Sequence, residues 1–241
     1  QFQRFYEESK SVSIQPNLPL VGLHEGGLET AKPGPLQGGP YEIVPYKAGE
    51  APIIGGQRGQ FIGNAVFQGD KMVGEMNGSE TRAYLLVRGE FRRATINFAD
   101  PIAGPEYYVA VRIRQQKNPA IHTEITEDGR AKIDVDVYIE GNIVAISSGL
   151  EYETPENLSL LEQAINELFE TNCRDLIQRS QQEFKADIFG FGFYMKHHFL
   201  FTEKWEDFAW LDRYPNAQVN LKVHTKIRQS AAKNQPICIF N

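Results

Sequence analysis

A few residues in this 241-residue sequence have the type and spacing that chemistry needs. His197 and His198, with Glu203 beyond them, hold metal-ligand atoms. Adjacent side chains diverge on a helix, however, and no third partner has ligand spacing, so one exposed and one capping or packing histidine is the expectation. Asp134 and Asp136 share a strand face, a placement that suits paired carboxylates for acid–base work. Lys132, Tyr138 and Glu140 fall on that same face, and a solvated sheet surface accounts for the whole set. Gly190-Phe191-Gly192 opens like a dinucleotide fingerprint, but Met195 stands where the third glycine belongs and no alternating strand leads into it. Two small residues between aromatics predict close packing instead. Asp70, Glu80 and Arg82 surround a turn and a helix start, where turn formation, dipole complementarity and a surface ion pair explain them. Cys173 and Cys238 have neither CxxC nor Cys/His spacing, which leaves a single long-range disulfide open. Nucleophile elbows, P-loops, HExxH and EF-hand loops are all missing, so no catalytic residue, metal or cofactor is predicted.

Composition narrows the partners. The chain is 41% hydrophobic and 23% charged, a folded globular profile rather than a disordered or disulfide-stapled one. Its net charge of -6 argues against nucleic acid, and Arg112 with Arg114 are too few for a basic stripe. No apolar run approaches the roughly 18 to 20 residues of a membrane span. The sequence opens at Gln1 without a basic or apolar leader, so any targeting signal is expected upstream of it.

The elements that must position these residues can be read from periodicity. Residues 25–63 are dense in Gly and Pro and predict an irregular connection, preceded by an edge strand around Leu18-Pro19-Leu20-Val21. Two apolar runs, 61–68 and 71–76, joined by Gly69-Asp70, predict a hairpin with a type II′ turn. Asn77 or Ser79 then caps a helix over 81–88 that ends at Gly89, and 94–98 alternates as a third strand, giving a ββαβ unit. The second half predicts strands over 107–114, 120–125, 132–140 and 143–146. A long helix from about 155 to 185 follows, opened by Thr154-Pro155. An aromatic second helical stretch over 187–210 and a last strand over 218–228 complete it. The aromatics of 189–210 read mainly as core, with a membrane or partner patch as the rival reading. The expectation is an α+β protein of two domains, 1–105 and 106–241, each a mainly antiparallel sheet packed with helices.

Two segments carry a resemblance. Ala65-Val66-Phe67-Gln68-Gly69-Asp70-Lys71-Met72-Val73-Gly74-Glu75, followed by Glu80-Thr81-Arg82, closely resembles the AVFxGDKxVGxL…ETR block of the Ger(x)C spore germination lipoproteins. Ala186-Asp187-Ile188-Phe189-Gly190-Phe191-Gly192 is similar to that family's ADIFGFG segment, and Trp205 through Ile227 to its Trp-containing segment and terminal strand. Ala83 stands where a Gly is expected, and residues 231–241 lie outside the pattern. The resemblance implies the C subunit of a nutrient germinant receptor, a non-catalytic protein held by an N-terminal lipid at the outer face of the inner spore membrane, beside multi-pass membrane subunits. It also implies that an N-terminal domain and lipobox precede Gln1. Gly69, Asp70, Lys71, Gly74, Glu80, Arg82, Asp187, Phe189, Gly190, Phe191, Gly192 and Trp205 are thereby marked as interface or structural-motif candidates. Direct binding of a small-molecule germinant is the alternative.

Overall fold

The computed structural model describes residues 17–23, 46 and 59–228. The Gly/Pro-rich connection, apart from its last residues, and the tail with Cys238 lie outside them. Three strands form the smaller sheet, in the order β1 (Asn17–Leu23), β2 (Gly59–Gln68) and β3 (Lys71–Met76), all antiparallel. β1 is an edge strand, the position to which Pro19 confines it. In the turn between β2 and β3, Gly69 has φ +64° and Asp70 keeps a negative φ, the sign pattern of a type II′ turn. Asn77 caps α1 (Gly78–Arg88) through a capping box: its side chain accepts the Glu80 N–H while Glu80 accepts the Asn77 N–H.

β4 (Arg93–Asp100), β5 (Gly104–Ile125), β6 (Ala131–Ile146) and β7 (Gln218–Ile227) form the larger sheet in chain order, antiparallel except for the parallel pair β6–β7. β4 therefore does not close a ββαβ unit on the hairpin before it; it pairs with β5, Phe98 opposite Val109, because Ile96 and Phe98 face the apolar side of the larger sheet. The residues read as two strand pairs on either side of 115–120 and 141–142 are single long strands. Gly141-Asn142 makes no turn, since Gly141 lies between Ile113 and Ile227 in the ladder, where a Cβ would approach Val111 and Ile227 to 2.9 Å.

α2 (Pro155–Arg179) begins at the Thr154 cap and supplies Leu161, Ile165, Leu168, Phe169 and Leu176 to the core, as its periodicity requires. It continues through one π-helical turn, Ser180–Phe184, and stops at Lys185 in the left-handed region. The expected second long helix is instead α3 (Phe191–Met195), α4 (Thr202–Phe208) and α5 (Trp210–Arg213). Gly190 and Ala209, both with positive φ, break the helical path at two points. The architecture is α+β: two sheet-and-helix regions and one long C-terminal helix. Val66 and Met76 from the smaller sheet, Ala83 and Leu86 from α1, and the inner faces of β4–β7 and α2 belong to one contiguous apolar cluster.

Candidate functional site: the buried surroundings of the two motif segments

Gly74 lies in β3 against the ring of Phe184 in the π-turn; a Cβ on Gly74 would stand 2.3 Å from Phe184 Cε1. Only glycine lets the strand approach so closely. Arg179 lies over that ring, its guanidinium 4.7 Å from the Phe184 centroid. The same guanidinium donates to Glu80 Oε1 at 2.5 Å and to Glu183 Oε2 at 2.8 Å. Glu80 thus serves the α1 capping box with one oxygen and α2 with the other. Further along, Tyr84 packs near Phe189 at 6.2 Å between centroids, and Arg88 donates to the Phe189 carbonyl at 3.4 Å. Ala83 is buried, with its carbonyl 4.0 Å from Cys173 Sγ. Burial, with the Glu170 charge, pushes the Cys173 thiol up to about 12, so it is an inert core residue.

Asp187 organises the second segment. Its buried carboxylate accepts four N–H groups: Gly190 and Phe191 on Oδ1 at 2.9 and 3.0 Å, Gly192 and the Trp210 indole on Oδ2 at 2.7 and 2.8 Å. Four donors fill the acceptor sites of an ionised carboxylate and leave none for a proton. Burial nonetheless pushes the carboxyl above its usual range, with the N–H donors working against that rise. A Cβ on Gly192 would lie 2.5 Å from Trp210 Cδ1, so the glycine admits the indole that the carboxylate binds. Beside them Ser180 donates to the Ile177 carbonyl at 2.7 Å, and its oxygen, 2.5 Å from the Tyr214 hydroxyl, must accept from Tyr214. Burial and the Asp187 charge raise the Tyr214 phenol.

A second buried carboxylate, Asp100, accepts the Ser148 hydroxyl at 2.6 Å, the Tyr152 hydroxyl, and the N–H groups of Ile102 and Ala103 at 2.9 Å each. Burial would raise it, but these four donors together hold it below the usual range. Glu140, also buried, lies between Arg114 and Arg228. None of these carboxylates lines either of the two grooves described below.

The candidate residues divide accordingly. Gly74, Glu80, Asp187, Phe189, Gly190, Phe191 and Gly192 converge on this junction. Gly69, Asp70 and Lys71 are exposed at the hairpin tip, and Arg82 is half-buried on α1. Trp205 is elsewhere, stacked 6.1 Å from Phe208 and tilted against Phe199 at 5.6 Å. The indole at the Asp187 site is Trp210, which sequence reasoning passed over together with Arg179, Phe184 and Tyr214. The signal for Trp210 was available in kind, since a buried indole N–H needs an acceptor and Asp187 is the acid of the motif.

The other chemical candidates resolve into ordinary contacts. His198 Nε2 lies 2.9 Å from both the hydroxyl and the carbonyl of Thr123, and His197 meets Phe193 edge-on at 5.6 Å. Among the described residues no three His, Cys, Asp or Glu side chains are grouped to hold a metal ion. Asp134 accepts from Asn220 at 2.7 Å, which with Lys132 keeps its carboxyl low, and Asp136 meets His224 at 2.6 Å on the same outer face. An open groove of about 480 Å³ is lined by Pro155, Leu158, Ser159, Glu162, Lys226 and Ile227, and a smaller one of about 190 Å³ lies by Arg174 and Val219. Neither lining includes an aromatic residue.

Comparison with known proteins agrees with the motif segments. Residues 62–231 match the family described as spore germination B3/GerAC like, C-terminal. Spore germination protein KC of Bacillus subtilis (strain 168) is 30% identical over 115 residues, 46% of this chain and 27% of that protein. The crystal structure of the GerBC protein superposes with a TM-score of 0.60 at 15% identity, covering 71% of this chain and 52% of that one, a likeness of fold. The chain thus spans about a quarter of one relative and half of the other. Because the matched region spans most of the chain and takes in both motif segments with the residues they pack against, the chain belongs to the GerAC-like spore germination family.

Proposed function

We propose that this chain is the water-facing part of a non-catalytic, lipid-anchored subunit that a spore nutrient germinant receptor needs for assembly or signal coupling, beside multi-pass membrane subunits at the inner spore membrane. The observation that carries this reading is that the family segments are spent on internal packing, the first against the end of the long helix and the second on its own amides and Trp210. Gly74 admits Phe184, Glu80 holds Arg179, and Asp187 binds three backbone amides and Trp210. Such a junction makes a rigid body that presents surface, and the buried carboxylates have no capacity left for acid–base work.

Deleting the gene in the sporulating host tests it. Nutrient-triggered germination should fail while a non-nutrient trigger still works, and the membrane subunits should lose abundance in the spore membrane. Restoring the gene as Asp187→Asn should rescue poorly, whereas Asp70→Asn should rescue unless the hairpin tip is itself a contact. Normal germination on every nutrient after deletion would sink the reading. A saturable rise in melting temperature with one amino acid, sugar or salt would replace the scaffold by the germinant-binding alternative.

A further inference from the structure

Among the described residues the most exposed large apolar side chain is Leu200, 94% exposed, and its neighbour Phe201 is 62% exposed. They form the apex of the turn between the 3-10 turn Lys196–His198 and α4. The turn has a firm base. Phe199 packs on Phe208 at 4.9 Å and on Trp205 at 5.6 Å, and His198 is bonded to Thr123 of β5. Phe193 and Tyr194, nearby in α3, are also exposed.

Charge is sorted around this knob. Lys196, His197 and His198 precede it directly. On α4, the exposed Lys204 is four residues before Phe208, on the side of the helix that packs under the tip, and three residues after Phe201 in the chain. Glu203, Glu206 and Asp207 are related by the same three- and four-residue spacing and share a different side. An apolar tip with cations beside it and carboxylates turned away is complementary to an anionic lipid surface.

We propose that Leu200 and Phe201 insert into the headgroup region of a bilayer carrying anionic lipids, with Lys196 and Lys204 against the headgroups. Two consecutive side chains are far short of the roughly 1,000 Å² that a specific protein interface buries, and a bilayer needs no matching pocket to take them. This goes beyond the receptor reading and does not rest on it: vesicle binding and germination phenotype can fail separately.

Sedimentation of the 241-residue chain with phosphatidylcholine vesicles, with and without phosphatidylglycerol, tests the proposal. Binding is expected with phosphatidylglycerol and weakens with added salt. The Leu200→Ser/Phe201→Ser variant should keep the wild-type melting temperature and lose about tenfold or more in partitioning. Lys196→Glu/Lys204→Glu should abolish the preference for anionic vesicles. In the Phe201→Trp variant, brominated acyl chains should quench the fluorescence that the substitution adds. No binding by the wild type, equal binding by the serine variant, or no added quenching each overturns the proposal. So does a concentration-dependent dimer that the serine variant abolishes, which would assign the knob to a second copy of the chain.

Discussion

At the scale of single residues, two kinds of atom decide this molecule: the ones glycine lacks and the ones carboxylates share. A methyl group at Gly74 would stand 2.3 Å from the Phe184 ring, whose face also carries the Arg179 guanidinium. Gly74→Ala is expected to cost about 1–3 kcal/mol, the usual range for an overpacked core. Equilibrium urea unfolding of the two single variants and the double variant gives the coupling. Phe184→Ala should relieve part of the Gly74→Ala penalty, and strict additivity would disprove the contact. Asp100 provides a pH test. Its folded-state carboxyl lies below the unfolded value of about 3.9, so its contribution is present above that value and is lost as pH falls through the folded one. The stability gap between wild type and Asp100→Asn, measured by urea unfolding from neutral pH downward, should therefore narrow below about pH 4. A gap independent of pH would mean that the four donors do not favour the ionised form.

At the scale of elements, the contact between α2 and β7 is unusual in its chemistry. β7 is an edge strand, and three of its N–H groups would otherwise lack a strand partner. They donate to α2 side chains spaced four residues apart: Val223 to Glu170 at 2.9 Å, Thr225 to Asn166 at 2.9 Å and Ile227 to Glu162 at 2.8 Å. The helix thereby covers the sheet with apolar residues and closes its edge with polar ones. Asn166→Ala leaves the Thr225 N–H without an acceptor and should cost about 1–3 kcal/mol in thermal or urea unfolding. Gln163→Ala, on the exposed side of the helix, should stay within about 0.5 kcal/mol of wild type. The triple variant Glu162→Ala/Asn166→Ala/Glu170→Ala should also scatter light on warming, as an uncovered edge pairs with other chains. Gln181 finishes the same task below the ladder, donating to the Tyr214 and Ala217 carbonyls at 3.0 and 2.8 Å just before β7 begins.

At the scale of the whole molecule, the two sheet regions do not have separate cores among the described residues. Met76, Leu86, Phe184, Phe189 and Ile139 belong to one cluster, and the Glu80–Arg179 pair crosses between its halves. The expected consequence is joint unfolding: tryptophan fluorescence, which reports Trp205 and Trp210, and far-ultraviolet circular dichroism should give coincident transitions. Adding Gly74→Ala should shift both curves together. A hairpin signal that melts ahead of the tryptophans would show that the junction is not the link it is drawn as here.

Local chemistry made much of this legible without a structure. The 2.0 and 3.6 periodicities placed Val109, Val111, Ile113, Ile133, Val135, Val137 and Ile139 in one sheet face and Leu161, Ile165 and Leu168 in the helix above it, because pleat and helix pitch set side-chain direction residue by residue. Gly69-Asp70, the Asn77 cap and Thr154-Pro155 were legible for the same reason: a turn or cap is decided within four residues. The aromatic stretch 187–210 was misread because its path is set from outside. Asp187 gathers three successive amides into a bend and draws in Trp210, and no periodicity records a hydrogen bond across 23 residues. The motif segments themselves stood out in the sequence, but what each one meets was decided only by the tertiary fold, which brings Glu80 of the first to Arg179 of the long helix across 99 residues and Asp187 of the second to Trp210. Contacts so distant in sequence depend on how all the intervening elements pack, and packing is a property of the whole core rather than of any segment.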